Sequence, residues 1–381
     1  METKYQICSR CVMDTTDPEI TFDDAGVCNH CHKYDELINK LVFEGDKGRE
    51  ILSHIVDEIK RSGAGKEYDC IIGVSGGVDS SFVAYKVKEL GLRPLAVHLD
   101  NGWDSELAVK NIELFLKKLD IDLYTNVLDW EEFKNLQISF LKASTPDSEI
   151  PTDHAIWAVL HEMADKIKIK YIIFGCNLRT ESHMPRSWSH GHMDWKYIRS
   201  IQQQFGDIPL NSYPHMNFVK YVKNMVFHKS INILNYLDYS KTDAIKILEN
   251  EIGWKYYGGK HYESIYTRFF QGYILPKKFG FDKRRMHLSS LICSGEITRS
   301  DAIEELRSEP YPVDLQNQDK EYVIKKFGIT SEEFNDLMNL PKKEFDDYPS
   351  YEKTICSSII FKIISKVYIL FRHALKGFTR A

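Results

Sequence analysis

Residues 70–87, CIIGVSGGVDSSFVAYKV, read as a short apolar strand, a glycine-rich turn and the first turns of a helix. Such a turn presents backbone N–H groups at the positive end of a helix, and its glycines let the main chain approach a phosphate. The lysine of a kinase-type phosphate loop is missing, so transfer of a γ-phosphate is not favoured. Asp79 would repel a bare phosphate, and its place in the turn is explained if it holds Mg²⁺ beside a pyrophosphate. The predicted nucleotide-binding residues of the turn are Ser75, Gly76, Gly77, Val78, Asp79 and Ser80, of which Ser75 and Asp79 are the predicted catalytic residues.

Apolar strands alternate with amphipathic helices from residue 68 onward. The segments DCIIGV, PLAVHL, DLYTNVL and YIIFG have strand character, and helical segments such as ELAVKNIELFLKKL separate them. This alternation predicts an α/β fold, a parallel sheet covered by helices. Open sheets of this kind bind ligands beyond the carboxyl ends of their strands. His98 and Gly175, which lie near the ends of two strands, are therefore predicted to flank a nucleotide, although a tight turn that binds nothing is the alternative for the whole loop.

The length and charge of the chain limit what it can be. With 381 residues it is long enough for two or three modules. A net charge of −5 argues against a surface that binds nucleic acid generally, so any basic patch is local. The first residues lack the pattern of a signal peptide, and no apolar run is long enough for a transmembrane helix, so a cytoplasmic protein is expected.

Four of the eight cysteines form two CxxC pairs near the start of the sequence, Cys8 with Cys11 and Cys28 with Cys31. Two such pairs can close a tetrahedral metal site, and a short segment with few apolar anchors needs a metal to stay folded. In a reducing cytosol the pattern predicts structural zinc instead of disulfides. An iron–sulfur cluster and a redox pair are the alternatives, and a neighbouring histidine, His30 or His32, could replace a cysteine as ligand.

The sequence SGGVDS after a buried strand resembles the PP-loop of the ATP pyrophosphatase superfamily, which includes the synthetase domains of GMP and asparagine synthetases and the tRNA-thiolating enzymes. The resemblance implies a sheet of the adenine nucleotide alpha hydrolase type, with ATP and Mg²⁺ as cofactors. It also implies that ATP is cleaved between its α and β phosphates. An oxygen of the substrate is adenylated, and a nitrogen or sulfur nucleophile then displaces AMP.

Over nearly its full length the chain also resembles the WbpG/WbuX/PseA-like N-acetyl sugar amidotransferases of surface-polysaccharide biosynthesis. The segments that carry this resemblance are CSRCVMDTTDPEITFDDAGVCNHC, GVSGGVDSS and residues 253–299. It implies that the acetamido group of a nucleotide-linked or otherwise activated bacterial sugar becomes an acetamidino group, in O-antigen or related lipopolysaccharide biosynthesis. The sequence has no glutaminase nucleophile turn, so a separate glutaminase partner is expected. Family resemblance points to one similar to the glutaminase and cyclase subunits of imidazole glycerol phosphate synthase.

Residues 253–299 also combine cationic with aromatic side chains. Such a mixture suits a nucleoside diphosphate with a base to stack on, although a solvated basic helix face over an aromatic core would give the same pattern. The predicted substrate-binding residues are Lys255, Lys260, His261, Arg268, Lys283, Arg284 and Arg285.

Two other functions are compatible with the sequence. A PP-loop enzyme that thiolates tRNA would need a reactive cysteine near its ATP site, and Cys176 is the candidate, whereas Cys70 lies within a strand and is expected to be buried. The acidic net charge makes tRNA an unlikely partner. A zinc-ribbon interaction module with a vestigial nucleotide domain is the non-enzymatic alternative, and it predicts no ATP turnover.

The expected modules are a zinc-binding module at residues 1–45, a PP-loop domain at 46–250, a helical substrate-binding region at 251–345 and a basic amphipathic helix at 346–381. We expect the last helix to pack on the protein's own core or a partner, and peripheral contact with an anionic inner membrane is the alternative. A polar segment rich in His, Arg and Trp follows YIIFG, and it is expected to be a mobile loop facing the substrate or a solvated loop. The histidine spacing matches no metal template, and no catalytic role is assigned to it.

Overall fold

The structure is a computed structural model, and it describes residues 4–259 and 262–356. The substrate-binding predictions for Lys260 and His261, and the prediction of a basic amphipathic helix for the last 25 residues, 357–381, lie outside the described residues.

Five parallel strands form the centre of the fold: β1 Cys70–Gly73, β2 Pro94–Asp100, β3 Asp122–Val127, β4 Tyr171–Phe174 and β5 Lys229–Asn232. Their order in the sheet is β3-β2-β1-β4-β5. The central strand β1 pairs Ile71 with Leu95 of β2 on one side and with Ile172 of β4 on the other. These three strands are apolar and almost wholly buried, as expected for strands covered by helices on both faces. The α/β fold class and the four predicted strands are confirmed.

Strand β5 was not predicted. Its sequence, KSIN, has one apolar residue, and three of its four residues are exposed. It pairs only with β4 at the edge of the sheet, with Ile173 opposite Ile231. An edge strand with so little apolar content gives no periodic signal.

Helices cover both faces of the sheet and build most of the second half of the chain. The helices that precede β5 are α1 Asn29–Leu41, α2 Gly45–Ser62, α3 Val78–Glu89, α4 Glu106–Leu119, α5 Trp130–Ala143, α6 Ile150–Lys166, α7 Leu178–Glu181, α8 Trp195–Phe205 and α9 Phe218–Phe227. Those that follow it are α10 Lys241–Ile247, α11 Ile265–Phe269, α12 Arg284–Ser294, α13 Arg299–Arg307, α14 Val313–Phe327, α15 Ser331–Asn339 and α16 Tyr351–Cys356. Two π-helical segments, Leu248–Ile252 and Phe270–Phe279, continue α10 and α11.

Helix α2 contains Ile51, Ile55 and Ile59, whose spacing of four residues would by itself predict one shared buried face. In the structure Leu52 and Val56 are buried together with Ile59, whereas Ile51 and Ile55 are half-buried at its border. The spacing of the three buried residues, four and then three, follows 3.6 residues per turn more closely than a strict spacing of four.

Helix α13 begins with a capping box. The side chains of Thr298 and Asp301 bond each other's backbone N–H groups. A second capping box, Thr330 with Glu333, begins α15. In both, the threonine at the N-cap satisfies an N–H group that the first turn would otherwise leave without an acceptor.

The polar segment after β4 is packed instead of solvated. Trp188 is buried and stacks on Phe281 with a centroid distance of 4.3 Å, and His183 is fully buried. This overturns the interpretation of the segment as a solvated loop. Within the two described stretches, none of the helices is both long and apolar enough to cross a bilayer.

Candidate functional site

The strand order reverses beside β1, and the candidate site lies at that point. After β1 the chain extends the sheet on one side with β2 and β3, and it later returns to the other side with β4 and β5. The carboxyl ends of β1 and β4 therefore adjoin a crevice in which open α/β sheets bind their ligands. Ser75 follows β1 and Gly175 follows β4, and both line two adjoining cavities at this edge.

The turn between β1 and α3 has the backbone of a phosphate loop. Gly76 has a φ of +77°, which favours glycine, and a Cβ atom there would come within 2.6 Å of the carbonyl oxygen of Ala108. Gly77 is the N-cap of α3 and provides no side chain over the first helical turn. The loop is further held by a hydrogen bond of 3.2 Å between the hydroxyl oxygens of Ser75 and Ser80. The main chain is thus exposed to a ligand where the helix begins.

Aromatic residues from the second half of the chain support the same loop. The indole N–H of Trp254 donates to the carbonyl of Gly76 at 3.1 Å, and the Val78 N–H donates to the Tyr257 hydroxyl at 3.1 Å. Trp254 is buried, as are the Phe269 and Phe270 rings. The sequence interpretation of these three aromatic rings as a surface for base stacking is therefore wrong, and they belong to the aromatic core that was the alternative.

A cavity of about 200 Å³ lies directly at the loop. Three carboxylates line it, those of Asp79, Glu181 and Glu263, together with the Tyr257 hydroxyl and Lys241. Carboxylate oxygens are the ligands that Mg²⁺ prefers, and phosphate oxygens commonly complete its shell. The residues at this cavity can therefore hold a divalent cation beside a bound phosphate.

A larger cavity of about 510 Å³ adjoins the first and shares Ser75, Gly175, Glu181 and Glu263 with it. One wall comes from the sheet edge, including His98 of β2. A second part of its lining comes from α11, the π-helical segment after it and α12. This part consists of Ser264, Thr267, Gln271, Lys283, Met286 and His287.

His98 is fixed at the sheet edge by both ring nitrogens. Its Nδ1 lies 2.9 Å from the carbonyl oxygen of Val74, and its Nε2 lies 3.1 Å from Oδ2 of Asp104. Although burial opposes the charged form, the Asp104 carboxylate and the Val74 carbonyl raise the pKa of His98. His98 lines the larger cavity next to the loop, in keeping with its predicted place, and Gly175 closes the other side.

A second group of ionisable side chains lines the larger cavity, and it includes His192 from the segment that was expected to face the substrate. His192 lies between two carboxylates, with its Nε2 3.5 Å from Asp147 and 3.4 Å from Asp153. Glu149 and Lys283 complete the group, with 4.0 Å between the Lys283 Nζ and the Glu149 carboxylate. Only Lys283 among them had been predicted as a site residue.

The two aspartates of this group have opposite pKa shifts. Burial would raise the pKa of Asp147, but the hydrogen bond with His192 and the charge of Lys283 lower it to about 2. Partial withdrawal of Asp153 from solvent, together with the negative charges of Asp147 and Glu149, raises its pKa to about 6 even though His192 opposes the shift. A carboxylate that stays ionised thus lies beside one that can exchange a proton near neutral pH.

The other predicted substrate-binding cations have different surroundings. Arg268 forms two hydrogen bonds with Asp319, at 2.8 and 2.7 Å, and its side chain is 12% exposed. Arg284 bonds Asp282 and the carbonyl groups that follow α13, and Arg285 bonds the Val12 carbonyl at 2.8 Å. Lys255 is exposed. None of these four lines either of the two cavities at the loop.

The four cysteines of the N-terminal module come together as the sequence predicted. Their sulfur atoms are buried and lie within 4.8 Å of one another, with Sγ–Sγ distances of 3.9 Å for Cys8–Cys31 and 3.7 Å for both Cys11–Cys28 and Cys28–Cys31. The edge of a ZnS₄ tetrahedron is about 3.8 Å for Zn–S bonds of about 2.3 Å. The three measured distances match this edge, so the quartet can hold a zinc ion.

The two histidines beside the quartet are not part of it. The Nε2 atom of His30 lies 2.7 Å from Asp17, and that of His32 lies 2.9 Å from Asp23. Both imidazoles are thus engaged by carboxylates of the same module. The idea that either could replace a cysteine as ligand has no support from their contacts.

Comparison with known proteins finds a family model that matches part of the chain. Residues 263–366 match the family model described as "LPS biosynthesis protein WbpG-like, C-terminal domain". This confirms the resemblance that the sequence motifs suggested. The match begins at Glu263, so the wall that α11 and α12 contribute to the larger cavity belongs to the matched domain. No curated protein matches the chain.

Among solved structures, an NMN synthetase from Francisella tularensis aligns with a TM-score of 0.29 and 14% sequence identity, over 56% of this chain and 90% of that one. An NH3-dependent NAD synthetase from Campylobacter jejuni, in complex with nitrate, aligns with a TM-score of 0.31 and 14% identity, over 74% of this chain and 97% of that one. TM-scores this low do not support an assignment of fold or function. The fold is therefore assigned from the strand order and from the loop after β1.

Proposed function

We propose that this chain, of which residues 263–366 match the WbpG-like C-terminal domain model, is an ATP-dependent, AMP-forming amidotransferase. Its substrate would be an activated sugar with an acetamido group, and its product the corresponding acetamidino sugar. The observation that carries the proposal is the continuity of two cavities. The phosphate loop opens into a larger cavity, part of whose lining comes from the WbpG-like domain.

The residues at the loop fit the phosphates of ATP with Mg²⁺. A Cβ atom on Gly77 would lie within 3.2–3.5 Å of Ser75, Tyr257 and Glu263, so the missing side chain leaves room in a narrow cradle. The α3 N-terminus and the hydroxyl groups of Ser75 and Ser80 supply donors. Asp79 supplies a carboxylate for Mg²⁺, with Glu181 and Glu263 on the same cavity. ATP supplies an adenylyl group, which turns a poor leaving group, the amide oxygen, into AMP.

The larger cavity would hold the sugar beside the loop. Its size, about 510 Å³, is within the range of sites for small molecules. Lys283 and Gln271 lie in the WbpG-like wall, where they can donate to the polar groups of a sugar or its carrier. The acetamido oxygen would point to the loop, so that the nucleophile approaches from the side of Asp147, Asp153 and His192.

We assign the carboxylate group around His192 to the nitrogen nucleophile. Asp147 remains ionised and can bind an ammonium ion, while Asp153, with a pKa of about 6, can accept the proton that ammonium must lose before it attacks. His192, bonded between them, keeps both carboxylates oriented. The ammonia itself would come from a separate glutaminase, similar to the glutaminase and cyclase subunits of imidazole glycerol phosphate synthase, as the family resemblance implies.

The proposal is tested by supplying the purified chain with ATP, Mg²⁺, ammonium and a panel of N-acetylated nucleotide sugars. We expect AMP and pyrophosphate to form only with a sugar that is a substrate, and mass spectrometry to find a product in which O has been replaced by NH. ADP and orthophosphate as the main products, or AMP release with no change in any sugar, would overturn it. Asp165→Asn is the matched control for substitutions of Asp147 or Asp153 in the cavity, because Asp165 lies at the far end of α6 from Asp153.

Thiolation of tRNA is the second candidate, because Cys176 is exposed and lines the cavity at the loop. A thiolating enzyme would form a persulfide or disulfide on that sulfur during turnover. Cys176→Ser separates the candidates. An amidotransferase keeps most of its activity with this change, whereas sulfur transfer to tRNA is lost.

A further inference from the structure

A fifth thiol lies against the cysteine quartet, on a part of the chain far from it in sequence. The Sγ atom of Cys293, near the end of α12, is 3.8 Å from the Sγ atom of Cys31. The Nε2 atom of His183, in the polar segment after β4, is 3.6 Å from the same Cys293 sulfur. The ligand atoms of Cys31, His183 and Cys293 all lie within 4.8 Å of one another.

These distances match the edges of a second metal tetrahedron. Zinc bonds of about 2.3 Å to sulfur and about 2.05 Å to nitrogen give an S–S edge of about 3.8 Å and an S–N edge of about 3.6 Å. Cys31 belongs to both sets of ligands, and a thiolate can bridge two metal ions, as in the two-zinc modules of six cysteines.

His183 is also oriented as a metal ligand is. It is fully buried, and its Nδ1 lies 3.0 Å from the Ser290 hydroxyl and 3.1 Å from the Ser182 hydroxyl. The Ser290 hydroxyl donates to the Met286 carbonyl at 3.1 Å, so it accepts from Nδ1–H and leaves Nε2 with a lone pair. This is the usual outer-shell arrangement of a ligating histidine. Ser290 lies on the same helix as Cys293, one turn earlier, so α12 positions two members of the site.

We propose that Cys31, His183 and Cys293 bind a second zinc ion, with Cys31 bridging it to the ion of the quartet. The fourth position is left for water or another small ligand. Charge favours the second ion. Four thiolates and one Zn²⁺ leave two excess negative charges in a buried place, whereas adding Zn²⁺, one thiolate and a neutral imidazole reduces the excess to one.

The second ion would join three parts of the chain that the sequence keeps apart. Cys31 belongs to the N-terminal module, His183 to the segment that precedes the cavity residue His192, and Cys293 to the WbpG-like domain. The site lies outside the two cavities at the loop, so its role would be to hold these parts in register. It does not depend on the reaction proposed above.

Metal analysis of the full-length protein, freed of loosely bound metal by gel filtration after a weak chelator wash, tests the site. We expect two zinc ions per chain in the unchanged protein and one in each of two variants, Cys293→Ala and His183→Gln. Cys70→Ala, which removes a buried thiol of β1 remote from the quartet, is the matched control and should keep two. One zinc in the unchanged protein, or two in either site variant, would overturn the proposal.

X-ray absorption at the zinc edge tests the same site without any substitution. A thiolate-bridged pair predicts a metal–metal scatterer, together with mixed sulfur and nitrogen ligation that averages fewer sulfurs than four per zinc. A spectrum with four sulfurs per zinc and no metal–metal scatterer would overturn the proposal, even if both variants failed to fold.

Discussion

Tyr239 donates a hydrogen bond from its phenolic hydroxyl to the Asp79 carboxylate, across the start of helix α3. The tyrosine precedes α10 and is buried, whereas the aspartate is the first acidic residue of α3. Burial and the nearby charge of Asp79 raise the pKa of Tyr239, so the hydroxyl stays protonated and continues to donate at neutral pH. A carboxylate held in this way is oriented toward the loop cavity that it lines.

The first prediction concerns this pair. Asp79→Asn should reduce AMP formation by roughly 100-fold, about 2.7 kcal/mol of activation free energy, because the metal carboxylate is lost. Tyr239→Phe should cost about 10-fold and raise the Mg²⁺ concentration needed for half-maximal rate, since it only positions Asp79. Initial rates at several Mg²⁺ concentrations measure both effects.

Tyr236→Phe is the control for Tyr239→Phe, because Tyr236 stacks on Phe43 away from the loop. Its rate and Mg²⁺ dependence should equal those of the unchanged protein. If Tyr239→Phe kept the full rate at limiting Mg²⁺, the hydrogen bond to Asp79 would contribute nothing to Mg²⁺ binding or to the rate.

Local patterns in the sequence were enough to predict the loop and four of the five strands. The turn SGGVDS directly follows the strand IIGV, so the structure of both can be inferred from residues that are adjacent in the sequence. The His192 group could not be predicted in this way, because Asp147, His192 and Lys283 come from three separate segments that only the folded chain brings together. No spacing rule links residues so far apart.

The roles of the charged residues could not be predicted for a related reason, since the partner of a charge can lie far away in the sequence. An arginine has the same chemistry whether it binds a substrate or a buried carboxylate, and Arg268 meets Asp319, 51 positions later. The cysteine quartet is the opposite case, since two CxxC turns point their thiols inward by local geometry. The sequence therefore identified the quartet, but not the nearby Cys293.

The second prediction concerns the pH dependence of the reaction. Since the pKa of Asp153 is raised to about 6, the carboxylate is largely protonated below that pH and ionised above it. If Asp153 accepts a proton from bound ammonium, the rate at a fixed ammonium concentration should rise as pH increases through about 6. In Asp153→Asn the rate should be low and this rise should disappear, as a pH profile of AMP formation would reveal. Asp165→Asn should keep the profile, and an unchanged rise in Asp153→Asn would assign the titration to another group.

The third prediction separates a structural from a substrate-binding role for Arg268. Its bidentate pair with Asp319 is nearly buried, and its guanidinium also lies 4.9 Å from the Tyr262 ring centroid. Arg268→Ala should reduce the free energy of unfolding by about 3–5 kcal/mol, because it leaves the Asp319 charge buried without its partner. Arg49→Ala, which removes an exposed pair with Asp46, should cost less than about 1 kcal/mol. Denaturant unfolding measures both. A stable Arg268→Ala protein with a raised KM for the sugar would instead support the substrate-binding role.

The last prediction concerns the connection between the cysteine quartet and the WbpG-like domain. Arg299, at the start of α13, donates to the carbonyl oxygens of Cys8 at 2.8 Å and Cys11 at 2.9 Å. These carbonyls belong to the first CxxC turn, whose shape the metal would hold. We therefore expect that removing the metal with a strong chelator destabilises the N-terminal module and the α12–α13 region together. Both should become sensitive to protease at the same chelator concentration.

Arg299→Ala tests the connection from the other side. With metal present it should reduce the free energy of unfolding by about 2 kcal/mol, since two hydrogen bonds from a charged donor are lost, and it should speed the loss of zinc to a chelator. Arg307→Ala, at the other end of α13 in an exposed pair with Glu304, should change neither quantity. If zinc left the Arg299→Ala protein at the unchanged rate, or if chelation opened the module while α12 and α13 stayed resistant to protease, the module and the domain would be independent units that only touch.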